Sequence, residues 1–497
     1  MFLIHIGELI LDEKRNNFIL TMKRREFIKK TATSAFALGS MPLILSNSNW
    51  KGANDRVNVA VVGIRGMGRV HLQEYQKLKN VEVSALCDVD ENLFAERVKT
   101  HYTDKGLRKP KLYTDMRKLY EDKSIDAVSI VTPNHWHALA GIWAIQAGKH
   151  ASIEKPICHT IEEGRKLVEA ARKYNLVVQD GAEQRSNPGA QSAVEFLRNN
   201  KLGEVYMAKG LCYKWRDSIG KYPDGYMLEG EKYASTVNSN SWITPFTKSY
   251  MQKVNYDMWL GPAPKRPFNR NRFHYNWHWH WDYGDGDMGN QGVHEMDVAR
   301  WGLGVKLPTK VTAMGSHVMF DDAQETPNVL MALFEFPNPE GGGDKKKMLQ
   351  FEVRHWMSNP EGNHLGSGES LSNTYMTNSR NVVGNIFYGS KGYMLKDVDG
   401  WQTFMGEERK LGESGKGVGN HYENFIDAIR ANDPNLLTGT IEEGFYSCAL
   451  IQLANISYRL GRTLDIDPNT LTILNDEEAN RMLSKEYRAP YVLPKNV

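Results

Sequence analysis

Cysteine is scarce in this 497-residue chain: there are four. Cys87, Cys158, Cys212 and Cys448 lie far apart and form no Cys-x-x-Cys pair. That spacing supports neither a thiolate metal site nor a dithiol redox motif, and buried free thiols are the plain expectation. Excess charge of one sign is scarce too. The net charge is +3, and no lysine or arginine block of a phosphate-tracking kind occurs in the body of the chain, so there is no reason to expect a nucleic-acid partner. No apolar run reaches the roughly 20 residues that cross a bilayer, which argues against a stable membrane anchor. His278 and His280 alternate with tryptophans but lack a third ligand at a useful spacing. No metal site is expected there, and both read as pocket wall or core. What remains, 41% hydrophobic and 24% charged residues, is ordinary for a soluble globular protein. The length suits two packed domains plus appendages.

At the front, Lys23-Arg24-Arg25-Glu26-Phe27-Ile28-Lys29 precedes a small, apolar stretch from Thr31 to Leu45. Paired arginines before a short apolar region resemble a twin-arginine export signal. The alternative is a basic amphipathic arm. An export signal implies the twin-arginine machinery as a partner and a periplasmic or otherwise exported location. Met22 stands directly before the signal, so residues 1–21 are expected to be untranslated or dispensable, with the signal over 22–50. Twin-arginine export carries folded proteins, often with cofactor already inside.

From Val57 to about Gly181, short β-branched or apolar runs alternate with helix-like spacing. Val57–Val62, Val81–Asp88, Ala127–Val131, Ala151–Ile153 and Val177–Gln179 read as strands. Gly68–Leu78, Glu91–Tyr102, Met116–Glu121, Trp136–Ala147 and Ile161–Tyr174 read as helices. Such alternation specifies a parallel sheet covered on both faces. After a helix over Gly189 to Asn199 comes a tract rich in Trp, Tyr, Gly and Pro. Strand-like runs then follow at Lys310–Phe320, Val329–Phe336, Lys346–His355 and Asn385–Tyr388. Gly341-Gly342-Gly343-Asp344 reads as a hairpin turn. The expected fold is therefore α/β plus α+β. An N-terminal Rossmann parallel sheet (55–182) leads to a second domain on an open, mainly antiparallel sheet (183–420), then to C-terminal helices and a tail (421–497).

Within the first domain, the run Val57 to Val62 breaks into Gly63-Ile64-Arg65-Gly66-Met67-Gly68, and Asp88 follows about 20 residues later. A glycine turn between strand and helix with a later acid is the dinucleotide pattern. Thr132-Pro133-Asn134 and Glu154-Lys155-Pro156 fall at the carboxyl edge of the same sheet, where ligands sit. With His137, Gly289-Asn290-Gln291-Gly292-Val293-His294-Glu295-Met296-Asp297 and Trp277-His278-Trp279-His280-Trp281-Asp282, these motifs resemble the Gfo/Idh/MocA oxidoreductases over about Arg56 to Asp467. The resemblance implies a nicotinamide-binding first domain and a sheet domain that supplies substrate contacts and a homo-oligomer interface.

It further implies that Gly63, Arg65, Gly66, Met67, Gly68, Asp88, Thr132, Asn134, His137, Glu154, Lys155 and Gln184 contact the cofactor. Arg65 replaces the usual second glycine and is expected to point outward toward the phosphates. A carboxylate at Asp88 would accept from a ribose diol and repel a 2′-phosphate, favouring NAD over NADP; the alternative role is a helix cap, and Asp90 is a second candidate for the ribose. Lys155 and His294 are the catalytic candidates, as alkoxide stabiliser and general base. Asn290 stands where many relatives carry a catalytic Asp; it can hold a hydroxyl but cannot take its proton. Trp277 and Trp279 have period-two spacing with Trp281, so a strand face there would suit sugar rings or, alternatively, core packing. Arg185 and Asp297 complete the expected substrate contacts, Arg185 being alternatively half of an inter-domain ion pair.

The expected activity is NAD-dependent oxidation of a sugar or glycoside hydroxyl, with the cofactor tightly bound. Two alternatives remain: an NAD-dependent glycoside hydrolase working by transient oxidation, elimination, hydration and re-reduction, and a non-catalytic sugar-binding protein.

Overall fold

The strand Val57–Val62 (β1) is β-branched at four of its six positions and buried almost throughout, as a parallel strand beneath helices must be. It belongs to a computed structural model that describes residues 56–231, 246–338, 345–356, 381–398 and 400–497. The arginine pair, Met22 and the rest of 1–55 lie outside the described residues. Val81–Cys87 (β2), Lys111–Tyr113 (β3), Ala127–Ile130 (β4), His150–Ile153 (β5) and Val178–Asp180 (β6) complete a six-stranded sheet. Its order is β3-β2-β1-β4-β5-β6, and every neighbouring pair is parallel. The order reverses between β1 and β4, which opens a crevice above their carboxyl ends.

Helices Gly66–Lys77 (α1), Asn134–Gln146 (α2) and Ile161–Tyr174 (α3) form the main crossovers. In α3 the local chemistry is complete: Thr160 accepts from the Glu163 amide, Glu162 and Glu163 occupy the first turn, and Arg172 and Lys173 the last. A cap and charges opposing the helix dipole fix both ends. The segment Glu91–Tyr102, expected as one helix, is instead three short turns, Glu91–Leu93, Phe94–Val98 and Lys99–Thr103. The last of these turns Tyr102 inward, where its hydroxyl donates to Val83 O at 3.0 Å.

Pro188–Arg198 (α4) leads into the second sheet. Its strands are Val205–Lys214 (β7), Lys310–Ser316 (β8), Val329–Pro337 (β9), Lys346–His355 (β10), Val382–Gly389 (β11), Gly392–Lys396 (β12), Gly400–Met405 (β13), Lys410–Lys416 (β14), Leu464–Asp467 (β15) and Thr472–Ile473 (β16). They form ten strands in the order β14-β13-β12-β11-β7-β10-β9-β8-β15-β16. The pair β7 and β10 runs parallel; β9, β11 and β12 pair antiparallel with their neighbours. β9 and β10 pair antiparallel; the run Gly341 to Asp344, expected as a hairpin turn, lies outside the described residues. β8 stops at Ser316, short of the expected Phe320.

Helices Gly292–Leu303 (α5) and Ile441–Leu460 (α7) pack against this sheet. Exposed Met314, Met331 and Leu333 lie on its other face. Helix His421–Ala431 (α6) returns to the first domain, where Phe425, Ile426 and Ala428 join Val59, Val61 and Leu72 in one core. Residues 421–497 are therefore shared between the domains instead of standing apart.

Between β7 and α5 the chain runs back across the first domain. Asn255 N donates to Val89 O at 2.9 Å and Glu91 N to Lys253 O at 2.9 Å. Trp136 Nε1 donates to Met258 O at 3.1 Å. This strap has its own core, which includes Phe246, Trp259, Phe268, Phe273 and Tyr283.

Candidate active site

The loop after β1 requires glycine at two places. Gly63 has φ +85°, and a Cβ there would stand 2.5 Å from Val131 O; a Cβ on Gly68 would stand 1.8 Å from Gly63 O. Only the bare backbone permits this turn. Helix α1 starts at Gly66 with no side-chain cap on its first amides, the arrangement that receives a phosphate. Asp88 closes the loop: Oδ2 accepts from Ile64 N at 2.8 Å and Oδ1 from Asp90 N at 2.9 Å. Burial nevertheless pushes its carboxyl up to about 6.

Gly63, Gly66, Met67, Asp88, Thr132 and Asn134 line a cleft of about 490 Å³, whose far wall is Met258, Trp259, His274, Tyr275 and Trp277 of the strap. Thr132 Oγ1 has no partner among the described residues. The bare loop, the open helix end, the carboxylate just after β2 and this spare hydroxyl together fit a dinucleotide.

Arg65 is half-buried and lines the same cleft; burial lowers its pKa, while Tyr250, Asp90 and Asp88 offset this. One expectation near this end is corrected. Asp90 is fully buried and spoken for, because it accepts from the Tyr250 hydroxyl at 2.6 Å and from His274 Nε2 at 2.8 Å. It ties down the strap and leaves the ribose position to Asp88.

At the carboxyl edge of β5, His71 Nε2 donates to Glu154 Oε1 at 2.8 Å, and Ser129 Oγ meets His71 Nδ1 at 2.7 Å. Burial alone would raise the Glu154 carboxyl, but the bond and charge of His71 and the charge of Lys155 hold it at about 2. His137 bridges the carbonyls of Thr132 (2.6 Å) and Pro156 (2.7 Å), bracing one edge loop to the next. Asn134 Nδ2 donates to Asp285 Oδ2 at 3.0 Å. Lys155 reaches across the domain boundary, and its Nζ donates to Asn290 O at 2.5 Å.

The Asn290 contact runs through its backbone. The side-chain amide instead donates to Asp287 Oδ1 at 2.9 Å. Asp287 also receives Arg216 Nε (3.1 Å) and Nη2 (3.0 Å) and His355 Nε2 (2.6 Å). Burial would raise this carboxyl, but Arg216 and His355 hold it well below the usual range. The Asp287–Arg216 pair therefore orients the residue that orients Lys155. Sequence reasoning missed both; the only available signal was Asp287 standing one turn before Asn290.

Burial, then the charge of Lys155, push the His294 imidazole down to about 3, so it is neutral at neutral pH. Its Nδ1 has no partner among the described residues. His294 lines a second cavity, about 270 Å³, with Gln184, Lys214, Gln291, Glu295 and Lys396. Gln184 thus faces the second cavity, not the first, and Lys396 Nζ fixes it at 2.7 Å. Lys214 and Lys396 were also missed, because β7 and β12 reach this wall only through the tertiary fold; Gln291 and Glu295 stand inside the Gly289 to Asp297 motif but were not singled out.

Three of the four expected substrate contacts are corrected. Arg185 and Asp297 point at each other: Nε and Nη2 donate to the two carboxylate oxygens at 2.8 and 2.7 Å. Both are buried, and neither lines either of these two cavities. The tryptophan run is no strand, because Asn276–Trp279 is a turn of 3-10 helix. Trp277 does line the first cleft, stacked on His278 at 3.6 Å. Trp279 packs instead against Arg216 (5.1 Å) and His355.

Comparison with known proteins agrees with this geometry. Residues 57–182 match the sequence model of the Gfo/Idh/MocA oxidoreductase family, NAD-binding Rossmann fold. Residues 243–329 and 389–493 match the C-terminal alpha/beta domain of that family. A "Glycosyl hydrolase family 109 protein" of Shewanella pealeana is 30% identical over 173 residues, 31% of this chain and 38% of that protein. A second, from Shewanella sp. (strain MR-4), is 34% identical over 121 residues, 24% of this chain and 26% of its own. The chain thus matches well under half the length of these curated relatives. Among solved structures, levoglucosan dehydrogenase in complex with NADH and levoglucosan superposes with a TM-score of 0.57 at 17% identity, covering 82% of this chain and 99% of that one. The WlbA dehydrogenase from Bordetella pertussis, in complex with NADH and UDP-GlcNAcA, gives 0.54 at 17% identity, covering 83% and 99%.

Proposed function

The chain belongs to the Gfo/Idh/MocA oxidoreductase family and carries its NAD-binding Rossmann domain; from that premise we propose that it oxidises a hydroxyl of a sugar or glycoside with a tightly held NAD. The observation that carries this reading is the place of Lys155. It lines the first cleft, its Nζ lies 2.5 Å from Asn290 O, and its charge bears on His294 of the second cavity.

When bound, the nicotinamide ring accepts a hydride from the carbinol carbon. The chain supplies the rest. Ionised Glu154 stands beside Lys155, and the Lys155 ammonium offers positive charge to the oxygen that becomes an alkoxide. Neutral His294 has a lone pair for the hydroxyl proton. Because burial makes the imidazolium costly, the proton is passed on and not stored.

A second reading is the glycoside hydrolase that oxidises, eliminates, hydrates and re-reduces. It is favoured by the similarity to the Shewanella glycosyl hydrolase family 109 proteins. Its net redox change is zero, which suits a cofactor that stays on the enzyme.

The deciding experiment starts from protein purified without added cofactor. The nucleotide is released and identified, and a sugar and aryl-glycoside panel is then applied to intact enzyme. NAD in the protein and sugar-dependent growth of the reduced-nicotinamide absorbance support oxidation. Phenol release without net reduction supports the second reading. Protein that neither retains nor binds NAD would sink both.

Asp88→Ala should weaken binding of NAD to the stripped protein by about 1–3 kcal/mol, since it deletes a charged acceptor. It should also narrow any preference over NADP. Titration calorimetry showing unchanged affinity would move the ribose contact elsewhere, and buried Asp90 is not available to take it over.

A further inference from the structure

Oxidising an alcohol to a carbonyl releases one hydride and one proton, so one proton acceptor is enough. Two adjacent proton-carrying groups of the second cavity each have a buried atom with no partner among the described residues. One is His294, already assigned to the hydroxyl. The other is its neighbour Glu295, on the first turn of α5.

Glu295 is buried, at 5% exposure, and lines the cavity with Glu183, Lys214, Gln291, Lys396 and Asp397. One of its oxygens is fixed. Gln291 Nε2 donates to Glu295 Oε1 at 2.9 Å, while Gln291 Oε1 accepts from Lys214 Nζ, which sets the direction of the amide. The other oxygen, Oε2, has no partner among the described residues. A proton on this carboxyl therefore sits on Oε2. Burial pushes the group up to about 7, against the opposing influence of Gln291, Lys214 and Lys396, so both protonation states are populated near neutral pH. A buried carboxyl with one oxygen spare, beside a base, has the properties of an acid–base catalyst. Most buried carboxyls have both oxygens satisfied, and Glu295 in addition lines a cavity.

We propose that Glu295 is a second acid–base residue of this site, moving a proton between the carbon beside the oxidised centre and the aglycone oxygen of a glycoside. The inference rests on the glycoside hydrolase reading above. Oxidation first converts the sugar hydroxyl to a ketone, with its proton taken by His294. The ketone makes the C–H on the next carbon acidic. Glu295 Oε2 takes that proton, and the electron pair of the C–H bond becomes a carbon–carbon double bond to the anomeric carbon. The anomeric C–O bond breaks, its electron pair stays on the aglycone oxygen, and Glu295 gives that oxygen the proton it has just taken. Water then adds at the anomeric carbon and yields a proton to Glu295, which returns it to the neighbouring carbon. Reversal of the first step restores the hydroxyl. Glu295 ends as it began, and the sum is hydrolysis.

The test uses full-length enzyme with its retained nucleotide and a panel of 4-nitrophenyl and methyl glycosides in heavy water. Three quantities are read on the parent, Glu295→Gln and Glu295→Asp: reduction of the nucleotide in a single turnover, deuterium entry at the carbon beside the oxidised centre, and aglycone release. In Glu295→Gln, deuterium entry and aglycone release should fall together, at least about a hundredfold, and nucleotide reduction far less. Glu295→Asp should recover part of both lost quantities, which separates loss of the proton carrier from loss of fold. Nucleotide reduction falling as far as release, or deuterium entry surviving in Glu295→Gln, overturns the proposal. Parent enzyme that reduces its nucleotide with these sugars yet releases no aglycone also overturns it, while the oxidoreductase reading stands. Parent enzyme that does neither removes the oxidoreductase reading itself.

Discussion

Lys155→Met turns over substrate at least about a hundredfold more slowly than the parent, the scale for losing an oxyanion partner. Its nucleotide should remain bound and its melting temperature nearly unmoved. Methionine keeps most of the side-chain length and deletes the charge. Among the described residues Lys155 Nζ makes one hydrogen bond, to Asn290 O, and the side chain lines the cleft half-buried and outside the core, so little stability is at stake. His294→Ala should lose a comparable factor, the usual cost of removing a general base. If the two act on one hydroxyl, the double variant loses little more than either single change, because residues that work as a unit are not additive. Rates are read under single turnover, so that slow product departure cannot mask the chemical step. An active Lys155→Met enzyme would sink the mechanism and leave the fold untouched.

Arg185→Met should have the opposite profile, with stability lost and chemistry kept. Arg185 follows β6 of the first domain, and its two bonds reach Asp297 of α5 in the second, with Glu443 of α7 at 3.1 Å. Removing the guanidinium leaves Asp297 buried, with Ser447 Oγ and a 3.5 Å contact to Arg300 as its remaining support. Breaking a buried pair from one side costs about 3–5 kcal/mol, because the surviving charge is stranded. Denaturant midpoints should fall accordingly, while turnover per folded molecule stays close to that of the parent. The pH dependence is a second check. Burial would raise the Asp297 carboxyl, but Arg185 holds it at about 2, below the value of about 3.9 in an unfolded chain. Its contribution is therefore complete above about pH 4 and is lost as pH falls through about 2. The variant should lack that acid-side loss. A variant as stable as the parent but inactive would return Arg185 to the substrate site.

What could be read from the sequence follows a physical line. The Rossmann half was legible because its information is local: β-branched runs set the strands, and Gly63 and Gly68 are required by contacts of one loop. Asp88 and Lys155 could be placed because each follows a strand directly, so strand order alone carries them to the crevice. The second half was less legible. Short, exposed strands such as β14 carry little apolar signal, and the tryptophan run mimicked a strand while folding as a turn. Arg185, Asp297 and Gln184 were assigned by sequence position, but ion pairs and cavity walls are fixed by contacts between domains. Asp287 and Arg216 needed coordinates, since their pairing joins residues 71 positions apart, and Glu295 did too, since the cavity it lines is closed by Lys214 and Lys396 from distant strands.

The strap that crosses the first domain decides what can be inherited as a piece. By chain order, residues 56–182 look like a transferable cassette, ready to lend its nucleotide site to another partner. By space, one wall of that site is written elsewhere: Met258, Trp259, His274, Tyr275 and Trp277 form the opposite side. Gly261 is pressed so closely on Trp136 that a Cβ would stand 2.1 Å from the indole. A graft of the cassette alone would carry the glycine loop and Asp88 but arrive with an open side and a bare indole. The smallest piece that carries the whole cleft is both domains together, which ties the strap's wall to the nucleotide loop.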